Sequence, residues 1–144
     1  MAEVRIVPVA VVRPLRGRVL RPQAPDQVVW PGDDDTDVFH LAAFEGAEVV
    51  GVASLYPRPH PNAAAPGDWQ LRGMAVAPAR QKSGVGSALL DAMLAEVRRR
   101  GGARLWCNAR TSAVGFYLRH GLVQHGAEFD VPGVGPHHVM QRTA

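Results

Sequence analysis

The fold is decided by residues 69–87, WQLRGMAVAPARQKSGVGS, and by the helical pattern that follows them. The apolar run Leu71–Val76 predicts a mostly buried strand, which Pro78 ends because proline brings no N–H to a strand ladder. The segment Gln81–Gly86 then opens an amphipathic helix. The apolar residues of this helix, at helical spacing, are Leu89, Leu90, Met93, Leu94 and Val97. Residues 69–102 therefore predict a strand, a glycine-bearing loop and a long helix that stops at Gly101-Gly102.

The loop before this helix is suited to binding an anion. A helix N-terminus presents unpaired N–H groups and a partial positive charge. Gly84 and Gly86 let the backbone approach a ligand closely, and Lys82 and Arg80 add full positive charge. A pyrophosphate fits these properties, but a plain strand-to-helix turn with glycines for close packing fits them as well. The loop alone leaves both interpretations open.

Two segments of the chain carry motifs at a characteristic separation. The first is Gln81-x-x-Gly84-x-Gly86, and the second is the segment Ser112–Leu122, SAVGFYLRHGL. The first matches the phosphate loop, Gln/Arg-x-x-Gly-x-Gly/Ala, of the GNAT superfamily of acyl-CoA-dependent N-acyltransferases. The second resembles that family's A-x-x-x-Y-x-x-x-G-F segment, with Leu122 where phenylalanine is usual. The resemblance extends from about residue 37 to about residue 129.

The resemblance implies a GNAT fold of the α/β class, as a single domain over residues 1–144. It implies a mixed sheet of six to seven strands, flanked by helices, whose two central parallel strands splay apart. The predicted strands are Val4–Val7, Val38–Phe44, Ala47–Tyr56, Trp69–Val76, Arg104–Asn108, Leu122–Asp130 and His137–Gln141. Short helices are predicted over Leu15–Leu20, with Pro14 in the first turn, and over Ala113–Arg119.

The resemblance also implies that acetyl-CoA is the co-substrate. In the family the pantetheine arm enters the gap between the splayed strands, so Met74, Ala75 and Val76 would offer it backbone groups. The N–H of Ala75 or Val76 would then polarise the thioester carbonyl. The implied cofactor-binding residues are Met74, Ala75, Val76, Gln81, Lys82, Ser83, Gly84, Val85, Gly86, Ser87 and Asn108, and no metal ligand is expected. For Asn108 a role in a turn or a cap is an equal alternative.

Tyr117 is the residue that the resemblance implies as the catalytic acid, close to the thioester sulfur. The base stays open between five polar side chains and a chain of water molecules. These five candidates are Asp68, His40, His60, Glu128 and His137. For Cys107, a buried structural thiol is favoured over a nucleophile, because the surrounding strand is apolar and no histidine adjoins it in sequence.

The sequence is therefore expected to be an N-acetyltransferase that moves an acetyl group from acetyl-CoA to a primary amine. Direct attack by the amine in a ternary complex is the expected route. The alternative is a GNAT-fold protein that binds acyl-CoA without catalysis. A nucleotide-binding P-loop is disfavoured because Gly86 is followed by Ser87-Ala88. No nucleic-acid partner is expected, since the aromatic fraction is 6% and the basic residues are scattered.

Composition sets further bounds. The net charge is +3 over 144 residues, and Lys82 is the single lysine among sixteen lysine and arginine residues. No apolar run approaches about 18 residues, and the N-terminal residues lack a secretory pattern, so a cytoplasmic protein without a membrane partner is expected. C-terminal strands pair between chains in many GNAT proteins, which leaves a homodimer open.

The acidic run Asp33–Asp35 is predicted to be a solvated loop or a cap rather than a cation site. It lies in a proline-containing segment, residues 22–37, that stands where many GNAT proteins have two helices over the acceptor site. The candidates for lining that site are Trp30, Tyr56, Arg58, Trp69 and Arg72. The two arginines favour an acceptor that bears a carboxylate.

Overall fold

A computed structural model describes residues 2–144, which form a seven-stranded sheet with helices packed on both faces. The strands are β1 (Glu3–Val7), β2 (Phe39–Glu45), β3 (Glu48–Tyr56), β4 (Asp68–Val76), β5 (Arg104–Arg110), β6 (Val123–Val131) and β7 (Gly135–Thr143). The helices are α1 (Val9–Leu20), α2 (Val85–Arg99) and α3 (Val114–Arg119), with short 3-10 turns at Pro78–Arg80 and Thr111–Ala113. Within the described residues, no helix has the length and apolar character needed to cross a membrane.

The strands are ordered β1-β2-β3-β4-β5-β7-β6 across the sheet. β4 and β5 run parallel, and the other neighbouring strands pair antiparallel. A parallel pair needs a crossover connection, which α2 supplies. The mixed α/β sheet expected from the sequence is confirmed. The insertion of β7 between β5 and β6 is a long-range pairing that the strand pattern did not specify.

The long helix α2 buries the apolar stripe that the sequence pattern predicts. Its buried residues are Val85, Leu89, Leu90, Met93, Leu94 and Val97. They pack on one face of the central strands. At the start of the helix, Gly51 of β3 allows a close approach, because a Cβ there would lie 2.7 Å from Val85 Cγ1. Since Gly51 pairs with Val76, this contact holds the first turn of α2 beside the C-terminal end of β4.

The first helix is longer than the sequence indicated. A short helix over Leu15–Leu20 was predicted, but α1 begins at Val9, so that boundary was wrong. Pro14 therefore lies inside the helix, where it removes one backbone hydrogen bond. The complete burial of Val12 against the opposite face of the sheet offsets this loss, because burying such a side chain contributes about 1.5–3 kcal/mol.

A buried ion pair joins α1 to the segment 21–38. Arg16 is fully buried, and its Nη1 donates to Asp33 Oδ2 at 2.7 Å. Asp33 also accepts hydrogen bonds from the Tyr56 hydroxyl at 2.6 Å and from the Trp30 backbone N–H at 3.0 Å. Burial alone would raise the pKa of the Asp33 carboxyl, but these hydrogen bonds outweigh burial and lower the pKa to about 2.

The predicted solvated loop is correct for Asp34 and Asp35, which are exposed, and wrong for Asp33. The reason is the buried arginine on α1, a partner at a distance in sequence that a local run of aspartates does not reveal. Gly17, next to that arginine, lets the segment lie against the helix, because a Cβ there would lie 2.1 Å from the Pro25 carbonyl oxygen.

The parallel strands β4 and β5 separate part-way along their length. They pair as far as Leu71 and Cys107, although β4 continues to Val76 and β5 to Arg110. The splay of the central strands is thereby confirmed. Backbone groups that face such a gap lack a strand partner, and buried groups of this kind require one. The gap is therefore a candidate binding site.

A bulge in β4 marks the start of this gap. β3 pairs with Arg72 and next with Ala75, so that Gly73 and Met74 together lie opposite one residue. Gly73 has a φ of +64°, a left-handed conformation that glycine adopts without steric cost. The bulge shifts the alternation of the strand by one residue. Arg72 and Ala75 consequently lie on the α1 face, whereas Met74 packs with the α2 face.

We predict that Asp33→Asn lowers the free energy of unfolding by about 3–5 kcal/mol at pH 7, because it leaves the Arg16 charge buried without its partner. Urea unfolding measures this difference. Asp34→Asn is the matched control, since it makes the same change at an exposed neighbour and should alter stability by less than about 0.5 kcal/mol.

The difference in the free energy of unfolding between the wild type and D33N should decrease as the pH falls from about 4 towards 2. The ionised carboxylate stabilises the fold above the unfolded-state pKa of an aspartate, about 3.9. That contribution is lost as the pH falls through the folded pKa of about 2. Equal unfolding free energies for D33N and D34N would contradict a stabilising role for the buried ion pair.

Candidate active site

The N-terminus of α2 presents unpaired backbone donors. Gly84 is the N-cap residue, with a φ of +92°, and no side chain of the described residues caps the helix. The N–H groups of residues 85–87 precede the first helical bond, from the Ala88 N–H to the Gly84 carbonyl. Lys82 has a φ of +63°, which is uncommon for a residue with a side chain and indicates a constrained loop. These unpaired donors and the positive φ values at Lys82 and Gly84 give the loop a geometry suited to an anion.

Glycine is required at the two positions of the loop for different structural reasons. At Gly84 a Cβ would meet no atom within 4 Å, so the positive φ is what requires glycine. At Gly86 a Cβ would lie 3.2 Å from the ring of Phe116, so close packing against α3 requires glycine there. Close packing therefore accounts for Gly86, and the close approach of a ligand to Gly84 stays a prediction.

A cavity of about 540 Å³ extends from this loop to the gap between β4 and β5. We call it the loop cavity. It is lined by Val19, Met74, Ala75, Val76, Gln81, Lys82, Gly84, Gly86, Ser87, Ser112, Ala113, Phe116, Tyr117, Arg119 and His120. Three of the predicted cofactor-binding residues do not line it. The Ser83 hydroxyl donates to the Arg80 carbonyl. Val85 is buried on the face of α2 that packs on the sheet, and Asn108 lines a second cavity.

Sequence reasoning missed five lining residues near and within α3. They are Ser112, Ala113, Phe116, Arg119 and His120. Their spacing of three to four residues is the signal that was available, because it describes one face of a helix. His120 Nε2 lies 3.0 Å from Ser87 Oγ, which ties this face to the first turn of α2.

The backbone of β4 directs polar groups into the gap. The Ala77 N–H donates to the Val50 carbonyl of β3 at 2.9 Å. Because successive residues of a strand direct their backbone groups to opposite sides, Val76 faces the gap and Ala75 faces β3. The Gln81 side chain donates to the Val76 carbonyl at 3.3 Å, consistent with this direction. Of the two N–H groups predicted to polarise a thioester, the Val76 group is the one aimed at the gap.

Tyr117 lies at the inner end of the loop cavity. Its side chain is buried, and its hydroxyl donates to Met74 Sδ at 3.6 Å. Burial raises the pKa of Tyr117 well above its usual value, and the neighbouring Cys107 raises it further. The hydroxyl is therefore protonated at neutral pH, which is the state that a proton donor requires.

A second cavity, of about 320 Å³, lies on the other side of Tyr117. We call it the arginine cavity. It is lined by Leu20, Arg21, Trp30, Gln70, Leu71, Arg72, Gly73, Met74, Cys107, Asn108, Ala109, Arg110, Ala113, Tyr117, Val131, Val134 and His137. Met74, Ala113 and Tyr117 line both cavities, so the two meet at the gap between β4 and β5.

Two of the five residues predicted to line an acceptor site lie in the arginine cavity. They are Trp30 and Arg72. Tyr56 and Trp69 are buried in the core, and Arg58 stacks on the Tyr56 ring at 4.5 Å. Sequence reasoning did not assign Arg21 or Arg110 to the site, because their positions depend on how the end of α1 meets the end of β5.

Two of the candidate bases are occupied by structural hydrogen bonds. Arg104 Nε donates to Asp68 at 2.8 Å. Burial alone would raise the pKa of Asp68, but this bond and two backbone N–H groups outweigh burial and lower the pKa to about 2. His40 contacts Ser54 Oγ at 2.6 Å and the Asp33 carbonyl at 3.0 Å. Neither side chain lines the arginine cavity.

Of the remaining three candidates, His137 lines the arginine cavity. His60 accepts two backbone N–H groups at Nδ1, and Glu128 accepts the Thr111 hydroxyl at 2.9 Å. His137 Nδ1 lies 2.8 Å from the Gly135 carbonyl oxygen. Since a carbonyl oxygen can only accept, Nδ1 carries the hydrogen of the neutral ring, and Nε2 carries the lone pair. Of the two ring nitrogens, Nε2 is therefore the one that can accept a proton.

Cys107 is buried at the wall of the arginine cavity. Burial raises the pKa of its thiol to about 12, so the thiolate is scarcely populated at neutral pH. The chemistry of this thiol agrees with the structural role that the sequence favoured.

Comparisons of the sequence with known proteins find relatives along most of the chain. The model of the acetyltransferase (GNAT) family matches residues 10–122. The uncharacterized N-acetyltransferase YitI of Bacillus subtilis strain 168 is 33% identical over 144 residues, which cover 99% of this chain and 97% of that protein.

Two solved structures share the fold at low identity. An acyl-CoA N-acyltransferase from Pseudomonas aeruginosa superposes with a TM-score of 0.79 at 19% identity, over 99% of both chains. An aminoglycoside 6'-N-acetyltransferase complexed with coenzyme A superposes with a TM-score of 0.75 at 17% identity, over 98% of this chain and 96% of that one. With a family match over most of its length and a similar full-length relative, the chain belongs to the GNAT acetyltransferase family and is an acyltransferase.

Proposed function

We propose that this chain, as one domain, transfers an acetyl group from acetyl-CoA to a primary amine of a small molecule or peptide. Direct attack in a ternary complex is the proposed route. The observation that carries the proposal is the junction of the loop cavity and the arginine cavity at Tyr117. A thioester in one cavity and an amine in the other would meet there without a covalent enzyme intermediate. The high pKa of Cys107, about 12, argues against an acyl-cysteine.

The loop before α2 fits the pyrophosphate of coenzyme A. The unpaired N–H groups of residues 85–87, the helix dipole and Lys82 all favour a negative charge at this point. The space beside Gly84 is open, which leaves room for a phosphate against the backbone. The Val76 carbonyl accepts one hydrogen bond from Gln81 at 3.3 Å and has a second lone pair for a pantetheine amide N–H. The coenzyme A complex of the structurally similar aminoglycoside acetyltransferase supports this assignment.

The residues at the junction fit the chemistry of amide formation. Acetyl-CoA supplies the acetyl group as a thioester. The amine nitrogen bonds to the thioester carbon as the carbon–sulfur bond breaks, and the Val76 N–H stabilises the negative charge that develops on oxygen. Tyr117 donates its proton to the leaving sulfur. A base must take the proton that the amine nitrogen loses.

His137 is the base in this proposal. The Gly135 carbonyl fixes its tautomer, and it stands opposite Arg110 in the pairing of β5 with β7. Its Nε2 lone pair is free to accept the proton of the amine. A cytoplasmic location and a homodimer stay predictions from the sequence.

Gly84→Glu should abolish the binding of acetyl-CoA in isothermal titration calorimetry, because it puts a carboxylate where the phosphates bind. Gly101→Glu is the matched control at the other end of α2. Both glycines have a left-handed φ, +92° and +81°, and at both a Cβ meets no atom within 4 Å. Both variants should lose similar stability, about 1–2 kcal/mol. Equal affinities of the two variants for acetyl-CoA would contradict the assignment of the loop.

Tyr117→Phe should lower kcat by about a hundredfold or more and leave the Kd of acetyl-CoA within about twofold, because it removes a proton donor without changing the shape of the cavity. The chain has one other tyrosine, so Tyr56→Phe is the control. That variant should lose about 1.5–3 kcal/mol of stability, because the Tyr56 hydroxyl donates to the ionised Asp33 carboxylate, and it should retain kcat at temperatures where it is folded. An unchanged kcat in Y117F would remove Tyr117 from the chemistry.

His137→Gln should lower kcat/KM by about a hundredfold or more and remove the acid limb from its pH profile, because glutamine cannot take up the amine proton. His138→Gln, at the adjacent position on the other face of β7, is the control, and it should keep the wild-type profile. His138 contacts Glu128 at 3.4 Å. If H137Q kept the acid limb, a different base or a water chain would take its place.

A further inference from the structure

The arginine cavity carries an unbalanced positive charge. Arg21, Arg72 and Arg110 line it, and the described lining contains no aspartate or glutamate. The buried carboxylate of Asp33, which accepts the backbone N–H of the cavity residue Trp30, is already bound by Arg16, Arg13 and the Tyr56 hydroxyl. Three guanidinium groups in one half-enclosed space repel one another, so an anion that enters the cavity relieves this repulsion.

Arg72 is the arginine most available to a ligand. Within residues 2–144 its side chain makes no hydrogen bond and no salt bridge with another group of the chain. Its guanidinium lies 4.5 Å from the centre of the Trp30 ring, and Arg16 lies 3.9 Å from that ring. Burial lowers the pKa of Arg72, and the neighbouring Arg58, Arg16 and Arg21 add to this effect. The Trp30 ring therefore orients a guanidinium whose N–H donors are all free.

Arg110 and Arg21 are oriented by the end of α1. Arg110 Nη2 donates to the Leu20 carbonyl at 3.1 Å, and Arg21 Nη1 donates to the same oxygen at 2.9 Å. Each bond uses one donor and leaves the others of that guanidinium for a ligand. Burial lowers the pKa of Arg110, and Arg21 contributes to the shift. The planar guanidinium fork matches carboxylate and phosphate oxygens in a bidentate geometry.

We infer that the acceptor amine carries a carboxylate or a phosphate group, which Arg72 and Arg110 bind while the amine lies at Tyr117. This inference rests on the proposed function, because it names the second substrate of that reaction. The cavity, at about 320 Å³, holds a small molecule of this kind. Amines with several positive charges are disfavoured, because they would add to the repulsion within the cavity.

Acetyl transfer to matched pairs of amines tests this inference. Phenylalanine against phenethylamine isolates the carboxylate, and phosphoethanolamine against ethanolamine isolates the phosphate, with spermidine as the polycationic amine. One anionic member should have a kcat/KM at least about tenfold above its neutral partner, a difference of about 1.4 kcal/mol. Arg72→Met should remove this preference through KM, and Arg110→Met should reduce it. Arg18→Met, which deletes an exposed charge of α1 outside the cavity, should leave the preference unchanged.

A binding experiment without turnover covers an acceptor that lies outside the panel. Inorganic phosphate and N-acetylglycine, each added with coenzyme A at constant ionic strength, should raise the Tm of the wild type and of R18M. N-methylacetamide should not raise it. The shift should disappear in R72M and return in part in Arg72→Lys, which restores the charge without the fork.

The outcomes separate the inference from the function on which it rests. If acetyl-CoA binds but the neutral or polycationic amines are preferred, the inference is overturned and the proposed function stands. The inference is also overturned, and the proposed function stands, if neither phosphate nor N-acetylglycine binds, or if R72M binds them as the wild type does. If acetyl-CoA does not bind, the proposed function fails, and the inference fails with it.

Discussion

The early end of the pairing between β4 and β5 is the constraint on which the rest of the structure depends. Parallel strands are normally buried and paired along their length, yet these two part after Leu71 and Cys107. Beyond this point, the backbone groups of β4 that face β5 have no strand partner. The side chains of Met74 and Tyr117 occupy the inner end of the gap, and the two cavities open on either side of them. Without this gap the sheet would separate the two cavities.

Two sets of contacts, one on each face of the sheet, fix the elements that border the gap. On the α2 face, Gly51 and Gly86 let helices approach β3 and each other closely, which fixes the first turn of α2 beside β4. On the α1 face, the ion pair of Arg16 with Asp33 holds the segment 21–38 against the sheet. A Cβ on Gly73 would lie 2.8 Å from the Trp30 ring, so the bulge and the segment fit one another. A buried ion pair thus positions the ring on which Arg72 lies.

The sequence was sufficient where the signal is local. The apolar period of α2 and the glycines of the loop depend on residues within one or two turns of each other, so their pattern predicted the helix and the glycine-bearing loop before it. Anion binding by that loop stays a prediction. The burial of Asp33 depends on Arg16, seventeen residues away in the chain, and no local pattern encodes it. The bulge at Gly73 had a signal, a glycine inside a strand, but its consequence for Arg72 required the register of β3. Arg110 lines the arginine cavity because its side chain contacts the end of α1. That contact depends on the tertiary fold, so the sequence pattern could not predict it.

The charges around the junction bear on the proposed reaction with an amine. An amine attacks only in its neutral form, and a cation held near other cations loses its proton more readily. Arg21, Arg72 and Arg110 therefore favour the neutral form of an amine in the arginine cavity, and a bound anionic group that neutralises one guanidinium leaves the others in effect. A carboxylate base at the same place would pair with these arginines, which would hold it ionised and lower its basicity. An imidazole forms no such pair, but the same arginines disfavour its protonated form, so a histidine in the proposed role of base passes the amine proton on to solvent.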